Sequence, residues 1–283
     1  MSNKLLIHKI LAWYKENQRD LPWRKTHDPY RILISEVMLQ QTQVSRVIEK
    51  YKEFLKALPI VQDLAKAKTA DVIRVWKGLG YNRRALFLQR TAQAVMGQYN
   101  GKFPQDVVLL KKLPGIGEYT ARAVMCFAFK QNMAVLDTNH RKFYSRVFGG
   151  DLSDKELLIE ADDFINSFVS PVGVYDWNQA LMDFVSAIER GESDKTIEWF
   201  NKTYPPIEKK KQKYTRKQTT PFKQTDRYIR GQIIDMLRES GVMSFLALHK
   251  KFSEFPKERI EKVVASLQKD GLIKMGKRGI VLP

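Results

Sequence analysis

Apolar residues recur at three- and four-residue spacing from the N-terminus to about Ile197, which predicts helices throughout that stretch. The clearest segments are Tyr30–Gln41, Ser45–Ala57, Thr69–Lys77, Arg84–Gln98 and Leu157–Phe168. Short breakers stand between them: Leu58-Pro59, Gly78-Leu79-Gly80, Asn100-Gly101-Lys102, Pro114-Gly115-Ile116-Gly117 and Gly149-Gly150. The strict alternation of a half-buried strand is missing here. Helices joined by such short connections predict an all-α domain of roughly ten helices.

The pattern changes at Pro205. Residues 205–224 hold three prolines and seven Lys/Arg against a single Glu, with almost nothing to build a core. This reads as a basic linker, a solvated spacer that is also able to meet phosphates. Beyond it Tyr228–Glu239, Ser244–Phe252 and Lys257–Lys269 have apolar helical faces, the last opened by Pro256. Leu272–Pro283 then alternates through a Lys-Arg-Gly turn as a β-hairpin does. Three helices and a basic-tipped hairpin resemble a winged helix, a class that either enters a major groove or contacts proteins. The predicted organisation is a helical domain over 1–204, a basic linker over 205–225 and a winged-helix-like module over 226–283.

Composition narrows the partners. Of 283 residues 43% are hydrophobic, enough for a proper core, and Lys+Arg 49 against Asp+Glu 31 leaves +18. Such a surplus points first to nucleic acid. The single cysteine, Cys126, excludes an intramolecular disulfide and a Cys-rich metal site, and the scattered histidines (His8, His27, His140, His249) have no metal-ligand spacing. The N-terminal stretch is an amphipathic helix interrupted by charge rather than a signal peptide, and no long apolar run follows. A soluble intracellular protein is expected, cytoplasmic and nucleoid-associated, probing DNA as a monomer without membrane contact.

Chemistry concentrates in the first 190 residues. In Leu113-Pro114-Gly115-Ile116-Gly117, two glycines flank one apolar residue directly before a helix that begins Glu118-Tyr119-Thr120. A tight turn there aims backbone N–H groups outward with the helix dipole behind them, a device for docking phosphate. It resembles the hairpin of the helix-hairpin-helix motif, with Leu113, Gly115, Ile116, Gly117 and Thr120 as the backbone-binding residues.

Leu21-Pro22-Trp23-Arg24, Asp28-Pro29-Tyr30, Ser35-Glu36-Val37-Met38-Leu39-Gln40-Gln41-Thr42, Gly78-Leu79-Gly80-Tyr81 and Leu136-Asp137-Thr138-Asn139 follow in order. Together they resemble the adenine DNA glycosylases of the MutY type, in the helix-hairpin-helix superfamily that also holds the endonuclease III-like enzymes. The similarity runs from about Leu11 to Phe148 and more weakly to Ile188. It implies a helix-hairpin-helix glycosylase fold and a base excision repair enzyme that removes adenine mispaired with 8-oxoguanine or guanine from duplex DNA.

Cleaving a purine N-glycosidic bond calls for a neutral acid to protonate the leaving base and an anion beside C1′. Glu36 suits the acid, because its apolar context from Ile34 to Leu39 would raise its pKa. Asp137 suits the anion, at a helix start whose free N–H groups favour charge, where it also serves as an N-cap. The resemblance assigns the same roles. It also places Tyr119 where bifunctional relatives carry the lysine that attacks C1′, which implies a monofunctional enzyme using water, since a phenol forms no Schiff base. Asn139 would orient the water or the acid, or else satisfy the turn. A base must be flipped out of the duplex to react. The resemblance gives Gln41 and Tyr81 as wedge, and Trp23, Arg24, Leu39 and Gln40 around the extruded base; Trp23 also suits core packing.

Three departures from the family stand out. Residues 191–204 lack the cysteines that hold an iron–sulfur cluster in most adenine glycosylases, so no cluster is expected, and packing around Trp199 and Phe200 would replace it. A monovalent cation at the hairpin is left open, and no metal is otherwise expected. The family's Nudix-like C-terminal domain gives way to the winged-helix-like module. Thr138 and Asn82 replace a glycine and a tyrosine of the family pattern. The alternatives are the same chemistry on thymine or uracil opposite guanine, or on 8-oxoguanine; a non-catalytic damaged-DNA-binding protein; and a sequence-specific regulator built on the winged helix.

Overall fold

The computed structural model describes residues 3–149, 151–170, 173–207 and 220–283, so most of the basic linker lies outside the described residues. The described residues form α1 (Asn3–Asn17), α2 (Pro29–Leu39), α3 (Val44–Ala57), α4 (Val61–Lys66), α5 (Thr69–Val75), α6 (Arg83–Tyr99), α7 (Val107–Lys112) and α8 (Glu118–Phe127). There follow α9 (Thr138–Phe148), α10 (Asp154–Phe168), α11 (Val174–Glu189), α12 (Lys195–Thr203), α13 (Asp226–Ser240), α14 (Phe245–Lys251) and α15 (Lys257–Lys269). Three short strands, β1 (Val242–Met243), β2 (Lys274–Gly276) and β3 (Gly279–Val281), complete the set. The helical expectation holds, with more helices than the periodicity foretold. Helices α4 and α7 have 6 residues each, under two turns, too short to register a period.

Polar side chains close several helix starts, that of α9 as the sequence suggests. Asp137 caps α9 and Asp194 caps α12, while Ser153 and Glu156 form a reciprocal capping box on α10. Helix α6 ends on Asn100 in the left-handed conformation.

Packing groups the chain into two units that interleave along the sequence. The first comprises residues up to 36, 104–112 and 116–207; the second comprises 37–103, 113–115 and 220–283. The first unit is built on aromatic residues. Phe143 stacks on Phe200 with ring centroids 5.3 Å apart, Trp13 meets Phe184 edge-on at 5.1 Å, and the buried Trp177 indole donates to the Tyr144 hydroxyl at 3.0 Å. Leu6 and Ile10 of α1 are fully buried, so the apolar face of the N-terminal helix is part of this core.

In the second unit, helices α13 to α15 and the sheet share one apolar core with Ile73 of α5 and Leu86 of α6. Ile229, Ile233, Leu237, Leu248, Ile260, Val264 and Ile280 fill it. Three polar ties reinforce the seam: the Ala70 N–H donates to the Pro283 carbonyl at 3.0 Å, and Arg238 donates to the Ile73 carbonyl at 2.9 Å and to Asn82 Oδ1 at 2.9 Å. The sheet is antiparallel in the order β1-β3-β2, with Met243 opposite Ile280 and Met275 opposite Ile280 on the other side. Its tight crossing depends on Gly279 (φ +133°), where a Cβ would sit 2.4 Å from the Met243 carbonyl oxygen. Among the described residues no helix is long and apolar enough to cross a membrane.

Candidate active site

Glu36 reaches the interior because the helix around it does. Ile32, Leu33, Ile34, Val37 and Met38 are all buried, and Glu36 among them is 5% exposed. The Tyr119 phenol, from the first turn of α8, donates to Glu36 Oε2 at 2.6 Å. Burial raises the Glu36 pKa to about 7; the phenol's hydrogen bond and the Arg24 charge oppose the rise, and the negative charge of Asp137 adds to it. A carboxyl poised there is protonated often enough to serve as an acid at neutral pH and is ionised readily once it has given its proton. The Tyr119 hydroxyl itself is pushed well above its ordinary value, first by burial and then by the neighbouring carboxylates.

Asp137 takes the opposite path. As N-cap of α9 it accepts the His140 N–H at 2.8 Å, and the His140 ring donates from Nδ1 to the same Oδ1 at 2.6 Å. Burial pushes its pKa up, but the attraction of His140, that residue's two hydrogen bonds and the Asn139 N–H outweigh it and hold the carboxyl below the usual carboxylate range. The side chain remains 26% exposed, open to an incoming group. Two carboxyls in one place are thus driven apart, one upward and one downward. That split is the arrangement an acid-plus-anion mechanism needs. Asn139 is partly committed elsewhere, its amide donating to the Met182 carbonyl at 3.3 Å.

Trp23 and Arg24 lie in a short 3₁₀ turn over Pro22–Lys25, with Trp23 buried at 7% exposure. The Arg24 guanidinium grips Asp183 of α11 through both nitrogens, at 2.7 and 2.8 Å, and Asp183 also binds Arg19. Arg24 borders a hollow of about 440 Å³ with Tyr14, Gln18, Leu21 and Tyr175 on its rim. The sequence reading missed the Arg24–Asp183 clamp and His140. A histidine three residues after an N-cap aspartate was the one available signal for the latter.

In the second unit, Gln41 (φ +53°) and Tyr81 (φ +43°) both hold the left-handed backbone that non-glycine residues seldom adopt, at a cost of roughly 1–3 kcal/mol each. One buried side chain fixes both. Arg84 donates to the carbonyls of Val37 (2.8 Å), Met38 (3.1 Å) and Gln40 (2.5 Å) on one side and of Leu79 (2.9 Å) and Gly80 (3.3 Å) on the other. Burial pulls its pKa down to about 10, so this is a guanidinium spent on backbone oxygens rather than on an acid. Tyr81 is 39% exposed, and the Arg227 guanidinium of α13 lies 4.2 Å from its ring centroid. Gln40 and Gln41 are exposed and Leu39 is half-buried. An open cleft of about 890 Å³ runs past Gln41, Tyr81, Phe222, Arg227 and Arg230.

The hairpin has the expected turn. Gly115 has φ +77°, and a Cβ on it would meet Phe87 at 2.6 Å. Gly117 is the N-cap of α8 with open space around it. Leu113, Ile116 and Thr120 are buried, while Gly115 and Gly117 are exposed.

Among the described residues no group of three or more His, Cys, Asp or Glu side chains is placed to hold a metal ion. Burial pushes the lone Cys126 thiol up to about 12, and 191–204 folds as the turn and helix α12 with Ile197 and Phe200 buried. Arg146 lies 4.4 Å above the Phe200 ring and bonds Asn201 Oδ1 and the Tyr204 carbonyl, both at 2.7 Å. A cation–aromatic staple occupies the segment.

Residues 34–163 match the HhH-GPD superfamily of base excision DNA repair proteins. An adenine DNA glycosylase of Mycobacterium tuberculosis (strain CDC 1551 / Oshkosh) is 34% identical over 271 residues, covering 91% of this chain and 82% of the relative. A solved thermostable thymine-DNA glycosylase has a TM-score of 0.61 at 34% identity, over 65% of this chain and 86% of its own. A trapped endonuclease III–DNA covalent intermediate shares the fold, with a TM-score of 0.56 at 19% identity over 65% of this chain and 86% of that one. By identity sustained over most of both chains, this protein belongs to the adenine DNA glycosylases, hydrolytic DNA N-glycosylases of base excision repair within the HhH-GPD superfamily.

Proposed function

We propose that the protein removes adenine mispaired with 8-oxoguanine or guanine and leaves the strand intact. The observation that carries this reading is the buried Glu36 carboxyl, near-neutral in pKa and hydrogen-bonded to a phenol where a lysine would be needed for strand cleavage. Glu36 gives its proton to a ring nitrogen of the extruded adenine. The glycosidic electron pair leaves with the base, positive charge grows at C1′, and Asp137 faces it as the anion. Water adds to C1′ and loses a proton to the ionised Glu36, giving an abasic site and free adenine. Tyr119 holds the Glu36 carboxyl in place, and Asn139 steadies the turn beside Asp137.

Gln41 and Tyr81 act as the wedge that fills the vacated stack, and Trp23, Arg24, Leu39 and Gln40 serve the extruded base. The Gly115–Gly117 hairpin takes the DNA backbone through its N–H groups, with or without a monovalent cation, and no iron–sulfur cluster takes part. Residues 226–283 act as a winged-helix-like DNA-binding module. The cleft beside Tyr81, with Arg227, Arg230 and Phe222 on its walls, suits the unpaired partner base. The enzyme works as a monomer on chromosomal DNA. Likeness to a thymine-DNA glycosylase at 34% identity favours thymine opposite guanine as the second reading.

Duplexes carrying A opposite 8-oxoguanine, A:G, T:G, U:G and 8-oxoguanine:C, each assayed with and without alkali, separate these. Release of adenine alone supports the first reading, and release of thymine the second. Tight binding without excision of any base would leave a damage-binding protein.

A further inference from the structure

Asp137 has more donors on one oxygen than its place in the fold requires. An N-cap aspartate needs one backbone N–H to close a helix start, and the His140 N–H supplies it at 2.8 Å. The His140 ring then brings a second donor to the same Oδ1 at 2.6 Å. This imidazole has no exposed surface, stacks on Tyr144, and keeps its other nitrogen, Nε2, buried without a hydrogen-bond partner among the described residues. An aliphatic side chain would fill that position with no orphaned nitrogen. Among the described residues the ring's one polar contact is the carboxylate, and with an anionic acceptor the proton sits on Nδ1.

We propose that His140 is a positioning residue for the glycosylase reaction, its Nδ1–H locking the Asp137 carboxylate in one rotamer and keeping an anion opposite the sugar while positive charge develops at C1′. The inference rests on the reading of Asp137 as that anion. Two donors on Oδ1 stop the carboxylate turning away when substrate arrives. They also favour its charged form over the protonated one, in keeping with the direction of the Asp137 shift.

The other titratable groups around the pair push the other way or are already closed. Glu36 of α2 faces Asp137 with like charge, and Tyr119 of α8 is spoken for by Glu36. Tyr144 of α9, on which the ring stacks, accepts from the Trp177 indole. His140 is the one side chain among these that stabilises the Asp137 anion by direct contact.

The test is single-turnover excision from a duplex carrying A opposite 8-oxoguanine, followed from about pH 4 to about pH 9 for wild type, His140→Val and His140→Asn. His140→Val keeps the position filled by a side chain without polar atoms and loses the donor. It is expected to lower the plateau rate by about tenfold or more and to move the acidic limb to higher pH, with duplex Kd unchanged. Asn carries an N–H at the place of Nδ1, so His140→Asn is expected to recover most of the rate and return the limb. A His140→Val enzyme with wild-type rate and limb would overturn the proposal, as would equal slowing of both variants with unmoved limbs. If His140→Val does not fold, His140→Gln, whose donor sits at the wrong end, takes its place against His140→Asn. Should the wild type be inert on every duplex, the glycosylase reading itself fails. In that case ¹³C titration of the Asp137 carboxyl still decides the coupling: a rise in the variant upholds it and no change overturns it.

Discussion

The Tyr119 hydroxyl donates to Glu36 Oε2 at 2.6 Å, joining two residues 83 positions apart in the chain. The pair defines the chemistry available: the carboxyl is the proton donor, and the group above it is a phenol and not an amine.

Replacing Glu36 with Gln removes the acid and keeps the volume. Excision is expected to fall by about 100-fold or more with duplex binding retained. Stability gives a second readout. The wild-type carboxyl titrates at about 7 when folded and near 4.5 when unfolded, so the folded state holds the extra proton between those values. The Glu36 contribution to stability is therefore fully present below pH 4.5 and is lost as pH rises towards 7, by on the order of 3 kcal/mol. Denaturant melts of Glu36→Gln should lack that decline when compared with wild type.

Tyr119→Phe withdraws a hydrogen bond that lowers the Glu36 pKa. The Glu36 pKa should then rise, and the basic limb of the single-turnover profile should move to higher pH. Tyr119→Lys places an amine beside the sugar carbon, and borohydride should then trap a covalent enzyme–DNA adduct that wild type never forms. Wild type trapping as readily would contradict a water-using mechanism.

Arg84→Met strands the carbonyls of Val37, Met38, Gln40, Leu79 and Gly80 and frees two strained turns. A loss of about 3 kcal/mol in unfolding free energy is expected. Chemical denaturation measures it, and a loss within the noise of a surface substitution would contradict the bracket role.

Arg227 lies over the Tyr81 ring at 4.2 Å, close enough for a contact of about 1 kcal/mol. Arg227→Ala should slow excision by about fivefold, and Arg227→Lys, which keeps charge without the planar face, should restore only part. Excision at the wild-type rate by Arg227→Ala would contradict a role for this contact in the wedge.

Much of the site is legible in the sequence because its signals are local. Glu36 is buried by the apolar run around it, Asp137 caps the helix it precedes, and the Gly115 turn follows from two glycines before a helix. What stayed hidden depends on partners distant in the chain. Arg24 meets Asp183 159 positions away, and Arg84 brackets residues more than forty positions earlier. Neither arginine differs by spacing from a surface charge. His140 lies close to Asp137 in sequence, yet only the buried packing of α9 turns its ring onto the carboxylate. In the same way, the apolar faces of α13 to α15 are visible as periodicity, while their shared core with Ile73 and Leu86 is not.

The central claim is that a buried, phenol-bound Glu36 drives hydrolysis of adenine from DNA without cutting the strand. Single-turnover reaction with a duplex carrying A opposite 8-oxoguanine, sampled across pH with and without alkali, tests it most directly. Free adenine, strand scission only after alkali, and a rate that falls as pH climbs past about 7 are the predicted result. Scission without alkali, or a rate still rising well above pH 7, would contradict it.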